Sequence, residues 1–160
     1  MKANTEPLLP ETFYHIYNRG INKEDLFKEE RNYSFFLEKC DKYLFPIAQT
    51  YSWCLMKNHF HLLIRTRSEK QIREAFPLKD RLGIDKILSL QFSHLFNSYA
   101  QAVNKSFKRT GGLFETPFRR ISVNDEAGLR RLVYYIHSNP LHHGFTDDFT
   151  TYPHSSYSAY

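Results

Sequence analysis

Gln49-Thr50-Tyr51-Ser52-Trp53-Cys54-Leu55-Met56-Lys57-Asn58-His59-Phe60-His61-Leu62-Leu63-Ile64-Arg65-Thr66 decides how this chain folds. Its first half reads as a strand with Tyr51, Trp53 and Leu55 on one side. Lys57-Asn58 is a short connection, and His59 to Thr66 reads as a second strand. The two strands predict a hairpin. Residues two apart on a strand point the same way, so His59, His61, Leu63 and Arg65 share one face. Phe60, Leu62 and Ile64 share the other, which is the face a core needs.

Upstream of the hairpin, Phe13-Tyr14-His15-Ile16-Tyr17 is β-favourable and stops at the turn signal Asn18-Arg19-Gly20. Tyr33, Phe36, Leu37, Cys40, Tyr43 and Leu44 then recur at helical spacing up to Pro46. Downstream, residues 67–87 are polar, with Pro77 and Gly83, and read as a mobile excursion. Leu88, Phe92, Leu95, Phe96, Tyr99, Ala102 and Val103 keep a long helical stripe that Gly111-Gly112 stops. Phe118 to Val123 is a short strand candidate. Asn124 or Asp125 caps a last helix with Leu129, Leu132, Val133 and Ile136 facing inward, and Pro140 is expected to end it. Residues 1–11, with Pro7 and Pro10, read as a loose leader.

The first six elements are strand, helix, strand, strand, helix, strand. That order predicts an α+β, ferredoxin-like (RRM-like) split βαβ sandwich. Its four-stranded antiparallel sheet carries helices on one face and leaves the other face free, and a C-terminal helix bearing tyrosines follows. The 160 residues fit one domain spanning the whole chain, large enough to bury a core without staples. The fold alone decides no function.

Composition narrows the classes. With 41% hydrophobic and 24% charged residues, the chain is globular in character. No apolar run approaches the roughly 20 residues of a membrane span, and the N-terminus shows no apolar signal segment. Two cysteines, Cys40 and Cys54, suit a reduced, cytoplasmic protein rather than a disulfide scaffold. The net charge is +5, and residues 57–131 hold 15 of the 22 basic groups against 7 of the 17 acidic ones. That concentration points to a polyanion-facing surface, while a solvated Lys/Arg-rich face fits the same numbers.

Two features carry chemistry. His59 and His61 stand side by side on an open sheet face, an arrangement that suits a divalent metal and also occurs on ordinary surfaces. On the last helix, Tyr134 and Tyr135 are separated by about 100°. Tyr135 shares a flank with Arg131 and with Asn139 one turn on, so a phenol and an amide can approach one site. A half-buried tyrosine before a helix-ending Asn-Pro fits the same residues.

The pair His59-Phe60-His61 followed by Tyr135-Ile136-His137-Ser138-Asn139-Pro140 resembles the HUH tyrosine transposases of the single-strand type, and within them the REP-associated tyrosine transposase branch. Tyr14 to Gly20 with Leu26-Phe27, Tyr99 to Asn104 with Gly112-Leu113-Phe114, and Tyr152-Pro153-His154-Ser155-Ser156-Tyr157 resemble other segments of that branch. The resemblance covers roughly Phe13 to Tyr160. It implies metal-dependent cleavage and joining of single-stranded DNA through a 5′-phosphotyrosine. Tyr135 is then the nucleophile, and His59, His61 and Asn139 are ligands of Mg²⁺ or Mn²⁺. It also implies single-stranded DNA with a palindromic hairpin as partner, no membrane, action as a monomer or homodimer, and a nucleoid-associated place in the cytoplasm. The departures are Phe114-Glu115 where the family has Trp-Gln, and Pro117 where it has Arg.

The chemistry needs such parts. A phosphodiester repels nucleophiles, and a metal on its non-bridging oxygen offsets that charge. A phenol near pKa 10 is protonated at neutral pH and needs activation. Basic grooves with aromatic platforms bind single strands. Candidate contacts are Asn18, Arg19, Lys57, Arg65, Lys108, Arg109, Arg119 and Arg120, with Lys105 beside them. Candidate platforms are Tyr14, Tyr17, Phe114 and Phe118. A non-catalytic nucleic-acid-binding module on the same fold, and a zinc-stabilised domain using Cys54, His59, His61 and His137, are the competing readings.

Overall fold

The computed structural model describes residues 4–160. Strands β1 (Phe13–Arg19), β2 (Ala48–Met56), β3 (His59–Thr66) and β4 (Arg119–Val123) alternate with helices α1 (Glu30–Leu44), α2 (Glu69–Ala75), α3 (Ile84–Ser106) and α4 (Glu126–His142). The sheet order is β2-β3-β1-β4, and every pairing is antiparallel. This is the split βαβ arrangement that the order of elements predicts. The two residues Lys57-Asn58 close the β2–β3 hairpin, with Met56 opposite His59.

Alternation along β1 and β3 sorts side chains between two faces. Tyr14, Ile16, Phe60, Leu62 and Ile64 are buried with Phe36 and Leu44 of α1 and Leu88, Phe92, Leu95 and Tyr99 of α3. The opposite face is not free. There Cys54, Met56 and Leu63 form a second, smaller apolar cluster with Ile136 of α4. Asp125 caps α4 by accepting from the Gly128 amide.

Three further expectations are corrected. Tyr51 does not share the side of Trp53 and Leu55: a bulge between Thr50 and Ser52 shifts the register, and Tyr51 packs edge-on against Phe13 with centroids 5.3 Å apart. Pro140 does not end the last helix, which runs to His142. Proline's fixed φ is helical, and so near the terminus it forfeits only one bond. Residues 67–87 are largely regular. Ser68 and Gln71 form a capping box on α2, Ile72 is fully buried, and Arg73 bonds the carbonyls of Lys79, Asp80 and Leu82.

The described part of the leader is docked, and residues 1–3 lie outside the described residues. Leu8 is fully buried, its amide donates to Asp85, and the Tyr14 hydroxyl donates to the Pro7 carbonyl. At the end of β1, Gly20 is required by space: a Cβ there would lie 2.0 Å from the Glu24 carbonyl oxygen. Among the described residues, no helix is long and apolar enough to cross a membrane.

Candidate active site

The hairpin brings His59 and His61 to the end of β3 nearest the turn. The β1–β3 register sets His61 opposite Tyr17 and His59 opposite Arg19. α4 crosses this corner of the sheet, anchored by buried Ile136, His137, Ser138, Asn139 and Pro140. The result is a cleft of about 600 Å³ lined by Tyr17, Arg19, His59, His61, Arg119 and Tyr135, among others. The Tyr135 ring stands 5.5 Å from that of His61, centroid to centroid. Tyr134 is directed away, its ring edge-on to Phe149. Both histidines and the tyrosine therefore share one cleft within a single chain.

Asn139 completes the corner. Its Oδ1 lies 3.2 Å from His59 Nε2, and its side chain also faces His61. His59 Nδ1 is 2.8 Å from Asn58 Oδ1, and His61 Nδ1 is 2.8 Å from His15 Nε2. Burial pushes both imidazoles below their ordinary range, His61 furthest, with the neighbouring histidines adding to the effect. Neutral rings are what a metal requires of histidine. When His59 Nδ1–H donates to Asn58, the Nε2 lone pair meets the Asn139 oxygen, acceptor against acceptor. A cation relieves that conflict. The 3.2 Å separation also matches adjacent ligands of an octahedral ion, whose edges are about 3 Å for bonds near 2.1 Å. The donor set thus fits Mg²⁺ or Mn²⁺.

The zinc-domain reading fails on placement. Among the described residues, no three of His, Cys, Asp or Glu are gathered to hold a metal. The Cys54 thiol is buried and pushed up to about 12, and His137 is hydrogen-bonded to Ser156 instead.

The basic residues divide into two groups. Arg19 and Arg119 line the cleft. The Arg19 Nε donates to both Glu115 carboxylate oxygens, at 2.9 and 3.0 Å. Asn18 also lines the cleft, but its amide donates to the Glu115 carbonyl. Lys57 pairs with Asp25, Arg65 lies over the Phe13 ring, and Lys108 is exposed in a left-handed turn. Arg109 is committed to Glu24 and to the Gly111 and Gly112 carbonyls. Arg120 donates to the Glu6 carbonyl and lies over Phe118. Of the expected platforms, Tyr14, Phe114 and Phe118 are buried in the core, and Tyr17 alone reaches the cleft. Sequence reasoning passes over His143, His15, Asn58 and Lys23. His143 packs against His59 with ring centroids 4.6 Å apart.

Fold and site together define a ferredoxin-like domain with a paired-imidazole cleft under a tyrosine-bearing helix. A solved structure described as a REP-associated tyrosine transposase bound to a REP hairpin shares this fold. Its TM-score is 0.75 at 12% identity, with 99% of this chain and 84% of that one covered. In sequence, the chain is similar to a Haemophilus influenzae protein provisionally described as a REP-associated tyrosine transposase. The two are 25% identical over 129 residues, which is 78% of this chain and 65% of the relative's length. No protein-family model matches the chain.

Proposed function

We propose that this chain is a transposase-like enzyme of the REP-associated tyrosine type, which nicks and rejoins single-stranded DNA. The observation that carries the reading is the convergence of Tyr135, His59 and His61 in one cleft, with Asn139 against His59 behind it. His59, His61 and Asn139 would hold Mg²⁺ or Mn²⁺, which when bound offsets the phosphate charge. The Tyr135 oxygen attacks phosphorus and loses its proton. The bond to the 3′-oxygen breaks, that oxygen takes up a proton, and a 5′-phosphotyrosine remains. The new ester conserves the phosphodiester energy, so a second 3′-hydroxyl can reverse the step without a nucleotide cofactor. Arg19 and Arg119 hold backbone phosphates at the mouth of the cleft, and Tyr17 offers a ring for stacking. The likeness to a structure holding a REP hairpin supports hairpin-bearing single-stranded DNA as the substrate. Tyr135, His59 and His61 share one chain's cleft, which supports attack on a phosphate bound beside the same chain's histidines.

The test uses single-stranded oligonucleotides that carry palindromes from the flanks of the gene, with Mn²⁺, read as a covalent adduct on a denaturing gel. Wild type and Tyr134→Phe form the adduct, whereas Tyr135→Phe and chelated samples do not. An adduct in Tyr135→Phe but not in Tyr134→Phe reassigns the nucleophile. Salt-sensitive binding that survives His59→Ala and His61→Ala, with no adduct from any variant, replaces the enzyme with a binding module.

A further inference from the structure

His15 is an imidazole of the cluster that touches a proposed ligand and that the proposed chemistry leaves without a task. Alternation along β1 buries Tyr14 and Ile16 in the main core and turns His15 and Tyr17 to the other face. In the β1–β3 register Tyr17 lies opposite His61, so His15 sits diagonally across from it. The two rings are stacked with centroids 5.1 Å apart, and His15 Nε2 is 2.8 Å from His61 Nδ1. Two ring nitrogens at that distance share a single proton. One ring must then donate in this bond and the other accept.

The direction of donation decides what His61 offers the cleft. If His15 donates, His61 carries its proton on Nε2, pointed at the Asn139 oxygen, and no lone pair remains for a cation. If His61 donates, its Nε2 lone pair faces the cleft and His15 keeps its proton on Nδ1. His59 shows the second pattern, with Nδ1 held by Asn58 Oδ1 and Nε2 turned to Asn139. We infer that His15 is a positioning residue: its Nε2 accepts the His61 Nδ1–H and so presents the His61 Nε2 lone pair to the cleft. The role parallels that of Asn58 toward His59, and it rests on the reading of His59, His61 and Asn139 as a metal site. Partners of this kind fix ring orientation and tautomer, and their loss weakens metal binding about 10- to 100-fold.

The experiment has two readouts on the full chain. Long-range ¹H–¹⁵N correlation of the metal-free wild type shows His61 protonated at Nδ1. Mn²⁺ affinity, followed without DNA by the resonance signal of the free ion, falls about 10- to 100-fold in His15→Phe. It stays close to wild type in His15→Gln, whose amide oxygen reaches the place of Nε2. A wild-type His61 protonated at Nε2 overturns the inference, as does His15→Phe binding Mn²⁺ like wild type. If wild type binds no Mn²⁺, the proposed function fails, and the wild-type tautomer still decides the role of His15.

Discussion

Asn139 Oδ1 and His59 Nε2 stand 3.2 Å apart, joining α4 to β3 across 80 residues of sequence. An amide oxygen supplies a neutral hard donor, and a carboxylate in its place supplies a charged one. Mn²⁺ affinity should therefore rank Asn139→Asp at or above wild type, and Asn139→Ala about 10-fold or more below it. Titration of each variant with Mn²⁺ checks the order, and an unchanged Asn139→Ala removes Asn139 from the ligand set.

The Arg19–Glu115 pair spans the mouth of the same cleft. Glu115 repels phosphates and occupies the guanidinium that would bind them. Glu115→Gln should tighten single-stranded DNA binding and steepen its log–log salt dependence by up to about one contact. Binding isotherms at several salt concentrations decide it. A weaker Glu115→Gln complex would mean that the carboxylate serves the cleft in another way.

Arg109 and Arg119 should separate stability from binding. Arg109→Ala leaves Glu24 with Lys28 alone and frees two glycine carbonyls, a loss of about 2 kcal/mol by urea denaturation. The half-buried cleft residue Arg119, as alanine, should stay within about 0.5 kcal/mol of wild type. It should instead lower the salt slope of DNA binding by about one.

The histidine cluster gives stability a pH dependence of defined sign. Unfolded imidazoles titrate near 6.5, while burial holds folded His15 at about 4 and lowers His59 and His61 too. Below 6.5 the unfolded chain binds more protons than the folded one, so stability falls as pH drops toward about 4 and is full above 6.5. Urea midpoints at about pH 7.5 and about pH 5 should differ in that direction, and the difference should shrink in His15→Gln. An equal difference in both proteins excludes His15 as a contributor.

The hairpin was legible because two β-favourable runs flank the two-residue connection Lys57-Asn58, and the period of two along the second run put both proposed histidine ligands on one face. Helical spacing put Tyr135 and Asn139 on one flank, and the roles proposed for them came from the resemblance. The capping box Ser68-Glu69-Lys70-Gln71 was a local signal for α2, outweighed by the polar composition around it. Other features depend on distant partners. His15 meets His61 46 residues away, and Arg109 meets Glu24 85 residues away. No local pattern separates a guanidinium bound to a half-exposed carboxylate from one open to an anion. Tyr51 changed sides through a single bulge, which period-two reading cannot anticipate.

The two apolar clusters differ greatly in size. The larger fastens α1 and α3 to the sheet, while α4 rests on Cys54, Met56 and Leu63 mainly through its own Ile136, with Leu132 and Val133 partly buried beside it. Opening free energy follows buried contact, so α4 should come away in a sub-global excursion while the sheet stays closed. Its amides should exchange with deuterium ahead of those in β1 and β3 under native conditions. Tyr135 then rides on a helix held by the smaller of the two clusters, and under the proposed function a 5′ end joined to it would travel without the fold being lost.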